Sequence, residues 1–206
     1  KRFPILGCNM RPGALDQEEY NLLGRAGFRF ILYGLESSQQ STLDKINKGQ
    51  KPGDMVHTLG MAKRAGLEPH VTCMVGYPWE SLEDARGTIR FTTDLFKQGL
   101  IDTLQATIVI PYPGTRLFSQ AKENGWLMTE DWNEYDMRKP VMLTPYLPEE
   151  ALKLTQGIYK SCITPKFVAR KILSIRNMDD IKFFIKAGRF MLGHLKDFAV
   201  KQPQVH

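Results

Sequence analysis

The chain has 206 residues, room for one sizeable core and at most a small appendage, and its 42% hydrophobic and 24% charged residues are the balance of a globular protein. No apolar run approaches the roughly 18 residues a membrane span needs, which excludes a spanning helix as an expectation. The formal net charge of +6 sits in the tail: residues 1–159 hold 18 basic and 19 acidic side chains and residues 160–206 hold 10 and 3, so a nucleic-acid binder, whose positive charge would spread through its body, is not expected.

Lys1-Arg2 runs straight into the apolar Phe3-Pro4-Ile5-Leu6 with no initiator Met or signal-type segment, which predicts that an upstream portion is missing before this first strand. Three helical stretches then close on glycine before an apolar run, at Gly27, Gly66 and Gly99, 39 and 33 residues apart. The runs that follow, Phe30-Ile31-Leu32-Tyr33, Val71-Thr72-Cys73-Met74-Val75 and Ala106-Thr107-Ile108-Val109-Ile110, are apolar on both faces, as parallel strands buried on two sides require. Strands are expected to start near Phe3, Phe28, His70 and Leu104. The intervening helices carry capping-box starts, Asp16 with Glu19 and Ser81 with Asp84, and apolar positions at helical spacing, Met55, Leu59 and Ala62 or Leu82, Ala85 and Ile89. This alternation predicts an α/β fold with right-handed crossovers, and four strands are too few to close a barrel.

Functional groups of such folds gather where strands end. Those ends carry Cys8-Asn9-Met10-Arg11-Pro12, Gly34-Leu35-Glu36-Ser37, Gly76-Tyr77-Pro78-Trp79-Glu80 and Pro111-Tyr112-Pro113-Gly114-Thr115. Local chemistry offers a plainer reading of each: Glu36 as a helix cap, Arg11 as a surface arginine, the Gly and Pro residues as tight turns. Cys8, Cys73 and Cys162 are an odd number at wide spacing, which speaks against a disulfide framework and for a reducing cytoplasm, and none of the four histidines is spaced as a metal pair.

Taken in order, Arg11 after the first strand, Gly34-Leu35-Glu36-Ser37 with Lys48-Gly49 after the second, Met74-Val75-Gly76-Tyr77-Pro78-Trp79-Glu80 after the third and Pro111-Tyr112-Pro113-Gly114-Thr115 after the fourth resemble the radical S-adenosylmethionine (SAM) superfamily, most of all members with an upstream cobalamin-binding domain. The resemblance covers residues 3 to about 160. It implies a TIM-like partial (β/α) barrel of which this chain supplies the third to sixth strands, about four βα units at residues 1–146, with a basic helical extension at 147–206. It implies that Glu36 and Ser37 contact the amino or ribose groups of SAM, that Arg11 receives the methionine carboxylate, that Met74, Gly76, Tyr77 and Glu80 belong to the adenine-packing strand, and that Ile110, Pro111 and Tyr112 meet the adenine edge. The family's Cys-x3-Cys-x2-Cys loop for a four-iron four-sulfur cluster does not occur in this sequence, so those ligands are expected upstream and the chain alone is expected to be inactive. The implied parent cleaves SAM reductively or transfers methyl groups with cobalamin, takes electrons from a flavodoxin or ferredoxin, and acts on a small-molecule or lipid-like substrate. Two rival readings are a cluster-independent barrel enzyme using Glu36 and Glu80 as acid and base, and a non-catalytic module whose tail binds membranes or a partner.

The acidic, aromatic stretch with Trp126, Trp132, Tyr135 and Tyr146 is expected to close one mouth of the sheet irregularly. A helix is predicted to start at Pro148, and a last helix is predicted to carry Phe184, Gly188, Met191, Leu195 and Phe198 on one stripe and Lys182, Lys186, Arg189 and Lys196 on another, docked on the core or touching a membrane surface.

Overall fold

The computed structural model describes residues 6–162 and 164–173 and the separate positions 175, 178, 180–182 and 185. Its sheet has four strands, β1 (Leu6–Met10), β2 (Phe28–Glu36), β3 (Glu68–Val75) and β4 (Thr103–Ile108), all parallel and in the order β1-β2-β3-β4. Sequential parallel neighbours need a crossover each, and helices supply them: α1 (Gln17–Arg25), then α2 (Gln40–Lys45) with α3 (Pro52–Arg64), then α4 (Leu82–Gln98). After β4 come α5 (Arg116–Glu123), an irregular stretch, α6 (Pro148–Cys162) and α7 (Pro165–Leu173).

Both expected capping boxes form. Asp16 accepts the Glu19 N–H while Glu19 reaches back to the Asp16 N–H, and Ser81 and Asp84 do the same for α4. Gly27, Gly66 and Gly99 all take the left-handed conformation that stops each helix, with φ of 91°, 75° and 84°.

One face of the sheet is sealed by helices. Arg29, Ile31, Tyr33 and Leu35 on β2 are buried there, and the Tyr33 hydroxyl meets that of Tyr20 on α1 at 2.9 Å. Val71, Cys73 and Val75 continue the buried row on β3, and Val75 packs with Ala85 of α4, Ile108 of β4 and Ala151 of α6. The opposite face, with Phe30, Leu32, Thr72 and Met74, is only half-buried. The strands were expected to be covered on both sides; their side chains suit that, but the crossover helices all lie on one.

The first compact unit runs to Ile163 and so includes α6, which the sequence reading groups with the C-terminal extension; the second, Thr164–His206, contains α7, whose N-terminus is capped by Thr164 accepting the Phe167 N–H. The predicted stripe from Phe184 to Phe198 and the first strand's expected start at Phe3 lie outside the described residues. No described helix is long and apolar enough to cross a membrane.

Candidate functional site

The site is built on an irregularity in β2. Gly34 pairs with Thr72 and Glu36 with Cys73, so Leu35 is an extra residue, and Glu36 adopts φ of 62°. The strand runs through Gly34-Leu35-Glu36 to end at Glu36, and its bulge re-aims the Glu36 carboxylate. A left-handed glutamate costs of the order of 1 kcal/mol and persists only where its surroundings enforce it. Gln50 does so: its Nε2 donates to the carbonyls of Gly34 at 3.1 Å and Leu35 at 3.2 Å.

The turn after α2 delivers both partners of this bulge. Asn47 and Gly49 take φ of 53° and 63°, folding the chain back so that Lys48 Nζ meets Glu36 Oε1 at 2.6 Å while Gln50 reaches the backbone. Gly34 leaves the space they use, since a Cβ there would run into the Glu36 carboxylate and lie 2.8 Å from Lys48 Nζ. The second oxygen, Glu36 Oε2, is buried with no hydrogen-bond partner. A buried carboxylate oxygen without a donor is costly, so this geometry suits a ligand that brings an N–H or O–H.

Two hollows flank Glu36 and Lys48. The larger, about 500 Å³, is walled by Met74, Tyr77, Val109 and Ile110 at the strand ends, and opens outward past Lys45, Trp79 and Arg116. The smaller, about 310 Å³, is lined by Asn9, Arg11, Leu32 and Thr72. Apolar walls with a few convergent polar groups are the usual make-up of a small-ligand site.

Beneath the larger hollow the β3 exit turns on Gly76, at φ of 97°, whose N–H donates to Glu80 Oε2 at 2.8 Å. The Tyr146 hydroxyl donates to the same oxygen at 3.2 Å, tying the irregular stretch to this turn. Burial pushes the Glu80 carboxyl up to about 7 against these hydrogen bonds, and its Oε1 has no partner. Tyr77 stacks on Trp79 with centroids 5.4 Å apart.

Of the expected site residues, Glu36, Met74, Tyr77 and Ile110 line the larger hollow, and Arg11 lines the smaller one beside Glu36. Ser37, Gly76, Glu80, Pro111 and Tyr112 line neither. Ser37 is fully buried, its hydroxyl 3.3 Å from that of Thr88 and accepting the Gln39 N–H at 3.1 Å, whereas Tyr112 is exposed. Sequence reasoning left Lys45, Trp79, Arg116 and Gln120 out of the site, although all four face the larger hollow. Trp79 stood in a quoted motif, but nothing local distinguished it from a packing residue.

Residues 4–92 match the family model described as the radical SAM superfamily. An uncharacterized methyltransferase of Pyrococcus horikoshii is 32% identical over 167 residues, covering 80% of this chain and 36% of that protein. The chain belongs to the radical SAM superfamily. A second relative, the bacteriochlorophyllide d C-8(2)-methyltransferase of Chlorobaculum tepidum, is 31% identical over 113 residues, 54% of this chain and 24% of that protein. The solved structure of coproporphyrinogen III oxidase from Escherichia coli, a radical SAM enzyme, superposes with a TM-score of 0.55 at 15% identity over 76% of this chain and 32% of that one, which supports the partial-barrel fold. The chain spans about a third or less of the length of the curated relatives it matches.

Superfamily membership implies SAM and a four-iron four-sulfur cluster, and this chain's residues suit them unequally. The orphaned Glu36 oxygen and the apolar wall fit SAM. The cluster does not fit: no three His, Cys, Asp or Glu side chains gather as a metal would require among the described residues. Burial also raises the thiols, Cys73 to about 12 and Cys162 to about 11, with Cys8 shifted the same way, so all three are disfavoured as thiolate ligands.

Proposed function

We propose that this chain forms the SAM-holding wall of a radical SAM methyltransferase. The observation that carries the reading is Glu36: held left-handed on a bulge, one oxygen committed to Lys48, the other buried and free to accept. In this reading Glu36 Oε2 accepts a ribose hydroxyl or the methionyl ammonium, and Arg11, in the adjoining hollow, takes the methionyl carboxylate in its guanidinium fork. Met74 and Ile110 exclude water from the adenine. Lys48 keeps the Glu36 carboxylate in place. When bound, SAM supplies the transferable methyl group or its deoxyadenosyl fragment.

The iron-sulfur ligands, an electron donor such as flavodoxin or ferredoxin, and cobalamin belong to the intact enzyme in this proposal, and the chain alone is inactive. Methyl transfer is preferred because the sequence relatives reported above carry that name. An acid and base pair of Glu36 and Glu80 has less support, since Glu80 lies off both hollow walls and its Oε2 is engaged by Gly76 and Tyr146.

Titrating SAM into the purified chain, followed by heat or tryptophan emission, tests this. Saturable binding that Glu36→Gln weakens about tenfold or more is expected, since a charge-assisted hydrogen bond and the Lys48 pair are both lost. Binding indifferent to that change, or none, overturns it.

A further inference from the structure

Resting on that reading, we infer that the outer part of the larger hollow is a second subsite, for a planar aromatic substrate bearing a carboxylate. The floor is Trp79, half-buried yet fixed from three sides: it stacks on Tyr77, meets Trp126 edge-on with centroids 6.1 Å apart, and donates its Nε1–H to the Thr42 hydroxyl at 3.3 Å. A ring already held in place offers a flat partner a platform once the flexible Lys45 side chain, whose Nζ lies over it, swings toward its edge.

Charge selects the rest. The charged side chains on the wall are Glu36, Lys45, Lys48 and Arg116, and Glu36 and Lys48 neutralise each other. That leaves two cations. Lys45 Nζ sits 5.1 Å from the Trp79 ring centroid, and among the described residues neither Lys45 nor Arg116 has a carboxylate within ion-pair distance. Arg116 opens α5 beside Thr115, with Gln120 one turn on, so this helix adds a guanidinium and an amide to the wall. A flat apolar body on Trp79 with an anionic group reaching Lys45 and Arg116 uses both the ring and the two charges, whereas a cationic substrate is repelled by those charges and an aliphatic one forgoes stacking on the ring.

The full chain is titrated with 1-pyrenebutyrate and with its neutral analogue 1-pyrenebutanol, reading quenching of tryptophan emission, in the presence and absence of SAM. The acid should bind about tenfold or more tightly than the alcohol, and Lys45→Met or Arg116→Gln should remove most of that preference. Trp79→Leu should weaken both probes, with Trp79→Phe restoring them, while SAM affinity changes less than about twofold in the Lys45 and Arg116 variants. Equal binding of acid and alcohol overturns the subsite, as does complete displacement of the acid by SAM, which would give the rim to the adenosyl group. A chain that binds the acid selectively but not SAM upholds the subsite and sinks the function proposed above.

Discussion

At the scale of single residues, two carboxylates of the same type are set apart by their surroundings. Glu36 is paired and strained; Glu80 is buried and shared by two donors. Gly34→Ala would force a methyl group into the Glu36–Lys48 contact, so SAM affinity should fall about tenfold or more with the fold intact, checked by the same titration and by circular dichroism. For Glu80, burial raises the folded value from the ordinary 4.5 to about 7. Its contribution to stability is thus fully present below about 4.5 and is lost as pH rises through about 7. Glu80→Gln keeps an acceptor for Gly76 and Tyr146 but removes the titration. The difference between wild-type and variant urea midpoints should therefore change between about pH 5 and about pH 8, the variant gaining relative stability as pH rises. A pH-independent difference would assign that titration elsewhere.

At the scale of elements, α4 shows how a helix seals the sheet without an all-apolar stripe. Thr88, Thr92 and Thr93 are buried on it, and their hydroxyls return to the carbonyls of Asp84, Thr88 and Ile89 one turn back, at 3.3, 2.8 and 2.8 Å. Leu82, Ala85 and Ile89 marked the correct side, yet the threonines that widen it were invisible to a polar count. The start of α4 rests on the Ser81–Asp84 box, so Ser81→Ala should cost about 1 kcal/mol, seen as a lower melting temperature. The same helix positions the Gly76–Glu80 turn, so this substitution should also weaken the site slightly, whereas Asp16→Ala, at the start of α1, should lower stability alone.

At the scale of the whole molecule, α6 belongs with the sheet: Ala151 and Ile158 are buried, and the Tyr159 hydroxyl accepts the Ala106 N–H of β4 at 3.3 Å. A chain ending at Ile163 should keep a single cooperative unfolding transition, and one ending at Tyr146 should lose it, because Val75, Ala85 and Ile108 would be stripped of their cover. The basic residues beyond that unit are a separate matter. If they contact anionic lipid, phosphatidylserine vesicles should sediment the full chain, and deleting residues 178–206 should abolish it; unchanged sedimentation would remove that role.

What the amino-acid sequence determined by itself is local and periodic: the helix caps at Asp16 and Ser81, the stops at Gly27, Gly66 and Gly99, the βα alternation and hence a parallel sheet with its polar groups at one rim. These follow from nearest-neighbour sterics and side-chain period, which neighbouring residues carry in full. Tertiary structure alone decided that Leu35 bulges out of register, that Lys48 and Gln50 return from the next turn to hold Glu36, that Ser37 spends its hydroxyl on Thr88, and that Trp79, Lys45 and Arg116 share a rim. Each depends on residues from separate elements meeting in space, and no spacing along the chain encodes such a meeting.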